Sequence, residues 1–448
     1  MGENAKFNFT FLKEDFKQKF ICCALAHSYW RPRSRENPMR LTSSSPVPLC
    51  LLCKGGKMLC GRLRCPIVAR ASSLIKCHEL ISSESVLGSS PPGAFVGRMG
   101  YPKVYVGPLI PPYQGDTKVL DMPEMWIGKT IEEIIDFRSL LIRGKVAVGI
   151  DEAAEGGRLL SALQELAMAS SPIDAFAVFK KKPRGSLVLS EEAQPFGPSA
   201  PLKSFEIGNP KADPKLEKAY LDGDLKASEA AVELYELGEP VTAIQRCFSL
   251  GMFGLASKRR LVPTRWSITA VDDIISKRLV EKLKCFEAVD EYRVYVFKNL
   301  DNIFLTILMP EKWSFEWIEA WFPGTTWNKD GLTPALMGDY EGYKGRREYA
   351  SIGGCYYAAR LAVAEKLLKE RRQAAALTLR EIHPGYILPV GVWNVRESVR
   401  KALSLKPKTF DSLSGALRYA ETQLTVKMED WIAHSAMLKQ ALFQKKLI

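Results

Sequence analysis

Four cysteines, Cys50, Cys53, Cys60 and Cys65, stand at a C-x2-C, six-residue, C-x4-C spacing. Zinc takes four thiolates in a tetrahedron, and a C-x2-C turn followed by glycine delivers two of them from one knuckle. Gly55 and Gly56 follow the first pair here, and the neighbouring lysines and arginines favour the thiolate form. The spacing predicts a four-cysteine module over residues 46–68 that holds structural Zn2+ with no coordination position open for hydrolysis. So small a unit folds only with its metal. Cys77 and His78, close behind, read as an ordinary helix pair.

A second constellation is acidic: Asp116, Asp121 and Glu124. Clustered carboxylates can hold Mg2+ or Mn2+ for phosphodiester hydrolysis, which makes a metal-dependent nuclease one reading of the chain. Such groups more commonly cap helices or pair with arginines, and Arg98, Arg138 and Arg143 are candidates. No Ser/His/Asp triad, P-loop or H-E-x-x-H motif accompanies them, which argues against hydrolases of those kinds.

The third constellation is basic. Residues 89–117 (SSPPGAFVGRMGYPKVYVGPLIPPYQGDT) alternate glycine and proline around one short predicted strand, 103–106. Arg98, Tyr101, Lys103 and Tyr105 are carried on it. One reading is a surface where a phosphate backbone approaches main-chain N–H groups; the plainer one is a structural crossover. Arg259 and Arg260 lie in the run KRRLVPTRW (258–266) ahead of a predicted helix, where they could bind an anion or bridge two halves. Arg346 and Arg347 sit in a glycine-rich loop.

Charge supports this emphasis. The chain has 448 residues with 63 basic and 50 acidic side chains, a net +13. Residues 39–72 hold six basic and no acidic residues, and residues 344–448 hold 19 basic against 9 acidic. Two basic ends around a balanced middle suit a polyanionic partner. Ten cysteines over this length do not describe a disulfide scaffold, so a reducing compartment is expected. No window carries the roughly 18 uninterrupted apolar residues of a membrane span.

The elements that must position these groups read as α/β, a mixed α+β chain with a two-part globular body. Residues 69–257 form the expected N-terminal α/β domain and 258–426 the C-terminal one; residues 427–448 form an amphipathic helix and tail. Residues 1–38 lack clear periodicity and are expected to be a disordered extension upstream of a natural start at Met39. Thr130 with Glu133 predicts a capping box opening a helix. Residues 291–298 and 302–309 predict a hairpin around Asn299-Leu300-Asp301. A helix over 270–283 is predicted to start from Thr269 as N-cap. Trp313, Trp317 and Trp321, at i, i+4 and i+8, predict one helix face that is core rather than a base-stacking surface. Met428, Trp431, Ile432, Ser435, Leu438 and Leu442 predict one continuous terminal helix.

Beyond that helix the chain ends Gln444-Lys-Lys-Leu447-Ile448. This resembles a shortened box for the sliding clamp PCNA, with Gln444 for the glutamine pocket and Leu447 and Ile448 for the apolar socket. The usual aromatic pair is missing, and the alternative register of Gln440 with Phe443 puts Lys446 where an aromatic belongs.

Four further segments carry a broader likeness: PPGAFVGRMGYPKVYVGPLIPP (91–112), RRLVPTRWSITAVDD (259–273), IGGCYYAARLAVAE (352–365) and PGYILPVGVWNVRE (384–397). Together they resemble the Nre family of archaeal DNA-repair proteins over nearly everything after residue 45. The cysteines and the terminal box match its NreA-like members. The resemblance implies a cytoplasmic, nucleoid-associated DNA-damage-response factor brought to DNA by PCNA, and it implies no defined reaction. Arg98, Lys103, Arg259, Arg260, Arg346 and Arg347 are then the expected DNA contacts. Zinc knuckles and basic patches suit RNA equally, so an RNA-binding protein is the remaining alternative.

Overall fold

Two six-stranded sheets and 13 helices make up the described part of the chain. The structure, a computed structural model, describes residues 52–59, 64–185, 194–329 and 331–443. The expectations placed on Cys50, Cys60, Gln444, Leu447, Ile448 and residues 1–38 lie outside the described residues.

In the first half the helices are α1 (Pro66–Leu80), α2 (Ile131–Ser139), α3 (Glu152–Glu155), α4 (Arg158–Met168), α5 (Pro214–Leu221), α6 (Ala227–Glu236) and α7 (Val241–Ser249). The first sheet comprises β1 (Ser85–Ser90), β2 (Ala94–Val96), β3 (Lys103–Ile110), β4 (Ile142–Gly149), β5 (Ile173–Phe179) and β6 (Ser199–Ile207). Its order is β1-β5-β6-β4-β3-β2, antiparallel throughout except where β4 runs beside β6. Side chains alternate across it. Val104, Val106, Ala175, Ala177 and Phe179 point into the core with Leu163, Leu166 and Ile244 of α4 and α7, while Tyr105, Phe176 and Leu87 point out. The sheet is therefore covered mainly on one face, as antiparallel sheets often are.

The second half contributes α8 (Thr264–Leu283), β7 (Tyr292–Asn299), β8 (Asn302–Met309), β9 (Ser314–Trp321), β10 (Ala335–Glu341), α9 (Gly354–Glu370), β11 (Ala375–Ile382), α10 (Trp393–Ser404), β12 (Lys408–Phe410), α11 (Leu413–Gln423), α12 (Met428–His434) and α13 (Ala436–Phe443). Its sheet runs β10-β9-β11-β8-β7-β12, with β9 and β11 parallel and every other pair antiparallel. Every residue of β8 and β11 is buried. Phe304 and Leu308 face the interior shared with the first sheet, whereas Leu305 and Ile307 face a separate cluster with Ala416, Trp431 and Leu438. Cover on both faces is why these strands read as nearly unbroken apolar runs. The shared interior continues from Val86 to Leu403 through α7, α8 and α9, and residues Leu49–Ile448 form one compact unit.

Three local expectations are corrected. The tryptophans lie on no helix: Trp317 and Trp321 belong to β9, and Trp313 precedes it. A spacing of four fits a strand of period two as well as a helix, and the β-branched and aromatic content of the segment decides for the strand. Trp313 and Trp317 are nevertheless fully buried, as core residues should be. Helix α8 begins at Thr264, behind Pro263, so Thr269 sits inside it. The terminal helix is two helices, broken at Ser435, which is extended (φ −86°, ψ 122°).

Candidate nucleic-acid interface

The basic glycine/proline stretch folds as a hairpin, β2 and β3, at one edge of the first sheet. Gly107 has to be glycine, because a Cβ there would stand 1.9 Å from the carbonyl oxygen of Gly144 on β4. Gly100 takes φ +84° in the connecting turn, where the amide of Lys103 donates to its carbonyl at 3.0 Å. The hairpin is pinned to α8: the Val96 amide donates to Thr264 Oγ1 at 2.9 Å, and Tyr101 packs on Trp266 with ring centroids 5.2 Å apart. Burial raises the Tyr101 phenol above its usual range, against the pull of Arg260.

Arg98 and Lys103 are exposed on this hairpin. Arg260, also exposed, pairs with Asp151 at 2.9 Å within electrostatic reach of Tyr101, and Arg265 is exposed one residue before Trp266. The structure thus brings Arg98, Lys103 and Arg260 to one end of the first sheet around the Tyr101–Trp266 pair. Arg265, exposed in the same turn of α8, lies instead within electrostatic reach of Cys355 at the start of α9.

Two of the other basic candidates, Arg259 and Arg346, are engaged within the fold. Arg259 donates to the carbonyls of Gly254 (3.0 Å), Tyr220 (2.7 Å) and Asp222 (2.9 Å) and lies over the Tyr220 ring. Arg346 pairs with Asp339 at 3.1 Å, donates to the carbonyls of Glu348 and Tyr349, and lies over Tyr356. Arg347 is exposed.

Asp116, Asp121 and Glu124 are not brought to one position. Asp116 accepts from the amide of Lys118 at 3.1 Å in its own turn. Asp121 is gripped by Arg138 at 2.7 Å, and burial still raises its carboxyl above the usual range. Glu124 accepts from the amide of Thr242 at 3.0 Å at the start of α7. Among the described residues no group of three His, Cys, Asp or Glu is placed to hold a metal ion.

Two family models cover the chain: one described as archaeal Nre, N-terminal, matches residues 59–328, and one described as archaeal Nre, C-terminal, matches residues 341–448. The chain belongs to the archaeal Nre family. This Nre chain is 43% identical over 392 residues to a protein named DNA repair protein NreB of Archaeoglobus fulgidus, covering 87% of this chain and 97% of that one. It is 38% identical to DNA repair protein NreA of the same organism (86% and 95% covered) and 35% identical to DNA repair protein NreA of Haloferax volcanii (80% and 88%). No solved structure matches.

Of the four closely spaced cysteines of this Nre chain, Cys53 and Cys65 are described. Cys53 is buried and its carbonyl accepts from the amides of Gly56 and Lys57, each at 3.2 Å. Its thiol is held below the usual range, chiefly by the backbone N–H of Leu59 and against burial, with further N–H groups of Lys57, Gly55 and Met58 helping. A thiol cradled by amides is disposed to be a thiolate, the form a metal takes. Cys65 occupies the N-cap position of α1, and a Cβ on Gly55 would lie 3.7 Å from its sulfur, so the turn after Cys53 folds against Cys65. Helix α1 is held to α2 by Ser73 and Lys76, both bonded to Asp136, and by Arg64 bonded to Glu132.

At the other terminus the Nre chain ends its described part with Leu442 40% and Phe443 73% exposed, beyond a well-packed Leu438. Gln440 accepts from the Tyr340 hydroxyl at 3.4 Å. No helix among the described residues is long and apolar enough to cross a membrane.

Proposed function

We propose that this Nre chain is a DNA-repair protein that works as a DNA-contacting factor tethered to the PCNA clamp by residues 444–448. The reading is carried by kinship: relatives named DNA repair proteins match it at 35–43% identity over 80–87% of its length. The grouping of Arg98, Lys103 and Arg260 at one end of the first sheet supports a DNA contact. The separate engagements of Asp116, Asp121 and Glu124 favour binding over metal-dependent hydrolysis.

The tail follows directly on the exposed end of α13. Holding the body on a ring that encircles DNA gives it an effective concentration of roughly millimolar order, so weak, salt-sensitive phosphate contacts suffice. Cys50, Cys53, Cys60 and Cys65 hold a structural zinc in this reading. Removing residues 444–448 is expected to abolish binding to PCNA in calorimetry while leaving the thermal unfolding of the body unchanged. Undiminished clamp binding by the shortened chain removes the tether.

A further inference from the structure

The outer face of the first sheet is largely solvent-exposed, and its two ends differ in chemistry. At one end Phe176 (40% exposed) and Leu87 (52%) are cross-strand partners on β5 and β1. Carboxylates flank them: Glu206 is the β6 partner of Phe176, and Asp174 lies two residues along β5. At the other end Tyr105 is 50% exposed on β3. About three strand spacings, roughly 14 Å, separate the two aromatic positions.

The surroundings of Tyr105 are unusually low. Its partner across the ladder is Ala147, and the next residue on the same face of β3 is Gly107. On its other side, Gly97 donates to its carbonyl at 2.7 Å, and a Cβ on Gly97 would sit 3.7 Å from the Cβ of Tyr105. Gly149 stands diagonally, opposite Lys103. The larger Phe95, on β2 opposite Gly107, is drawn towards Leu109 and lies beneath the Arg143 guanidinium. A single exposed tyrosine is ordinary, but one half exposed among three glycines and an alanine has few neighbouring side chains to crowd its ring against a flat partner.

Lysines are arranged around it. Lys103 precedes it on the same face, Lys145 lies on the facing edge of β4, and Lys203 is exposed at the bulge of β6. Arg98 and Arg260 continue the positive charge towards the hairpin tip. The nearby acids are engaged: Asp151 pairs with Arg260 at 2.9 Å, and Glu152 accepts from the amide of Gly149 at 2.7 Å. A flat aromatic within a cationic rim is complementary to an unpaired base with phosphates on either side. A duplex keeps its base faces stacked inside and offers nothing to such a ring.

We propose that Tyr105 is a stacking platform for an unpaired base of single-stranded DNA, with Lys103, Lys145 and Lys203 holding the flanking phosphates. The assignment rests on the reading that this Nre chain acts on DNA, and it adds which form of DNA the body prefers. The acidic Phe176 end of the same face takes no part.

The test is fluorescence anisotropy on the full chain at low salt, without clamp, using labelled oligothymidylate of about twelve nucleotides, the corresponding duplex, and oligouridylate. Tyr105→Ala is expected to weaken oligothymidylate binding roughly tenfold and to leave duplex binding unchanged, with Tyr105→Phe close to wild type because it keeps the ring. Phe176→Ala is expected to bind as wild type does. The proposal is overturned by unchanged oligothymidylate affinity in Tyr105→Ala, by an equal loss for duplex, by absence of wild-type binding, or by tighter binding of oligouridylate. Because no clamp is present, a failed PCNA tether leaves these readings untouched, and a failed platform leaves the calorimetry on the tail untouched.

Discussion

Arg396 on α10 grips Asp272 on α8 through two hydrogen bonds from one nitrogen, at 2.9 and 3.2 Å, with both side chains sealed from solvent. Gln245 of α7 donates to the same Asp272 oxygen at 2.9 Å. Arg396 also meets Glu397, which pairs with Arg400 as well, and Arg400 in turn pairs with Glu365 of α9. Four helices are thereby joined through buried polar and charged groups.

Removing one member of such a pair leaves the other charged, buried and alone. Arg396→Met is expected to destabilise the chain by about 3–5 kcal/mol in guanidinium unfolding, and adding Asp272→Leu to recover most of that loss. A single variant within about 1 kcal/mol of wild type would contradict this account.

Glu316 of β9 closes the break between α12 and α13. Its carboxylate accepts from Ser435 Oγ and from the amides of Ala436 (2.7 Å) and Met437 (3.0 Å). Glu316→Ala leaves those donors without partners, so amide hydrogen exchange across α13 is expected to accelerate while that of β8 stays slow. Burial outweighs these hydrogen bonds and raises the Glu316 carboxyl above its ordinary 4.5. The folded state therefore holds this proton more tightly than the unfolded chain. Its contribution is full below pH 4.5 and is lost as pH rises through the higher folded value. Glu316→Gln cannot titrate, and a stability–pH curve for it is expected to lack that decline.

Thiol labelling distinguishes cysteines by burial. Cys285 is exposed, whereas burial pushes the thiols of Cys77 and Cys247 up to about 12. In the folded protein at about pH 8, iodoacetamide is expected to modify Cys285 and spare Cys77 and Cys247, as peptide mass spectrometry would show. Labelling of Cys247 before unfolding would mean that the α7 interior opens readily.

Zinc content is directly countable. One zinc per chain is expected by elemental analysis, falling with Cys53→Ser, and chelation should expose residues 50–70 to protease while the body stays resistant. A metal-free chain with an equally resistant leader would remove the zinc module.

Local signals in the sequence are reliable where their partners are also local. Thr130 and Glu133 form the expected capping box, with the Thr130 amide donating to Glu133 at 2.8 Å and the Glu133 amide to Thr130 at 3.2 Å. The hairpin turns at Leu300 and Asp301, both at positive φ, where the sequence places it. The break at Ser435 is not legible, because the carboxylate that stabilises it lies 119 residues away. Nor does a run of arginines disclose which ones turn inward. Arg259 and Arg260 are adjacent, yet one is spent on three carbonyls and the other reaches the surface. The cysteine spacing is a signal among neighbours in sequence, and the zinc count is its test. The clearing around Tyr105 draws on three strands and could not be seen in any one of them.

The single interior running from Val86 to Leu403 also bears on whether the chain can be divided. A polypeptide severed near residue 258 would leave each piece with an oily flank and nothing to cover it. Helix α7, which backs the first sheet, lies in turn against α8, so each half closes an apolar flank of the other.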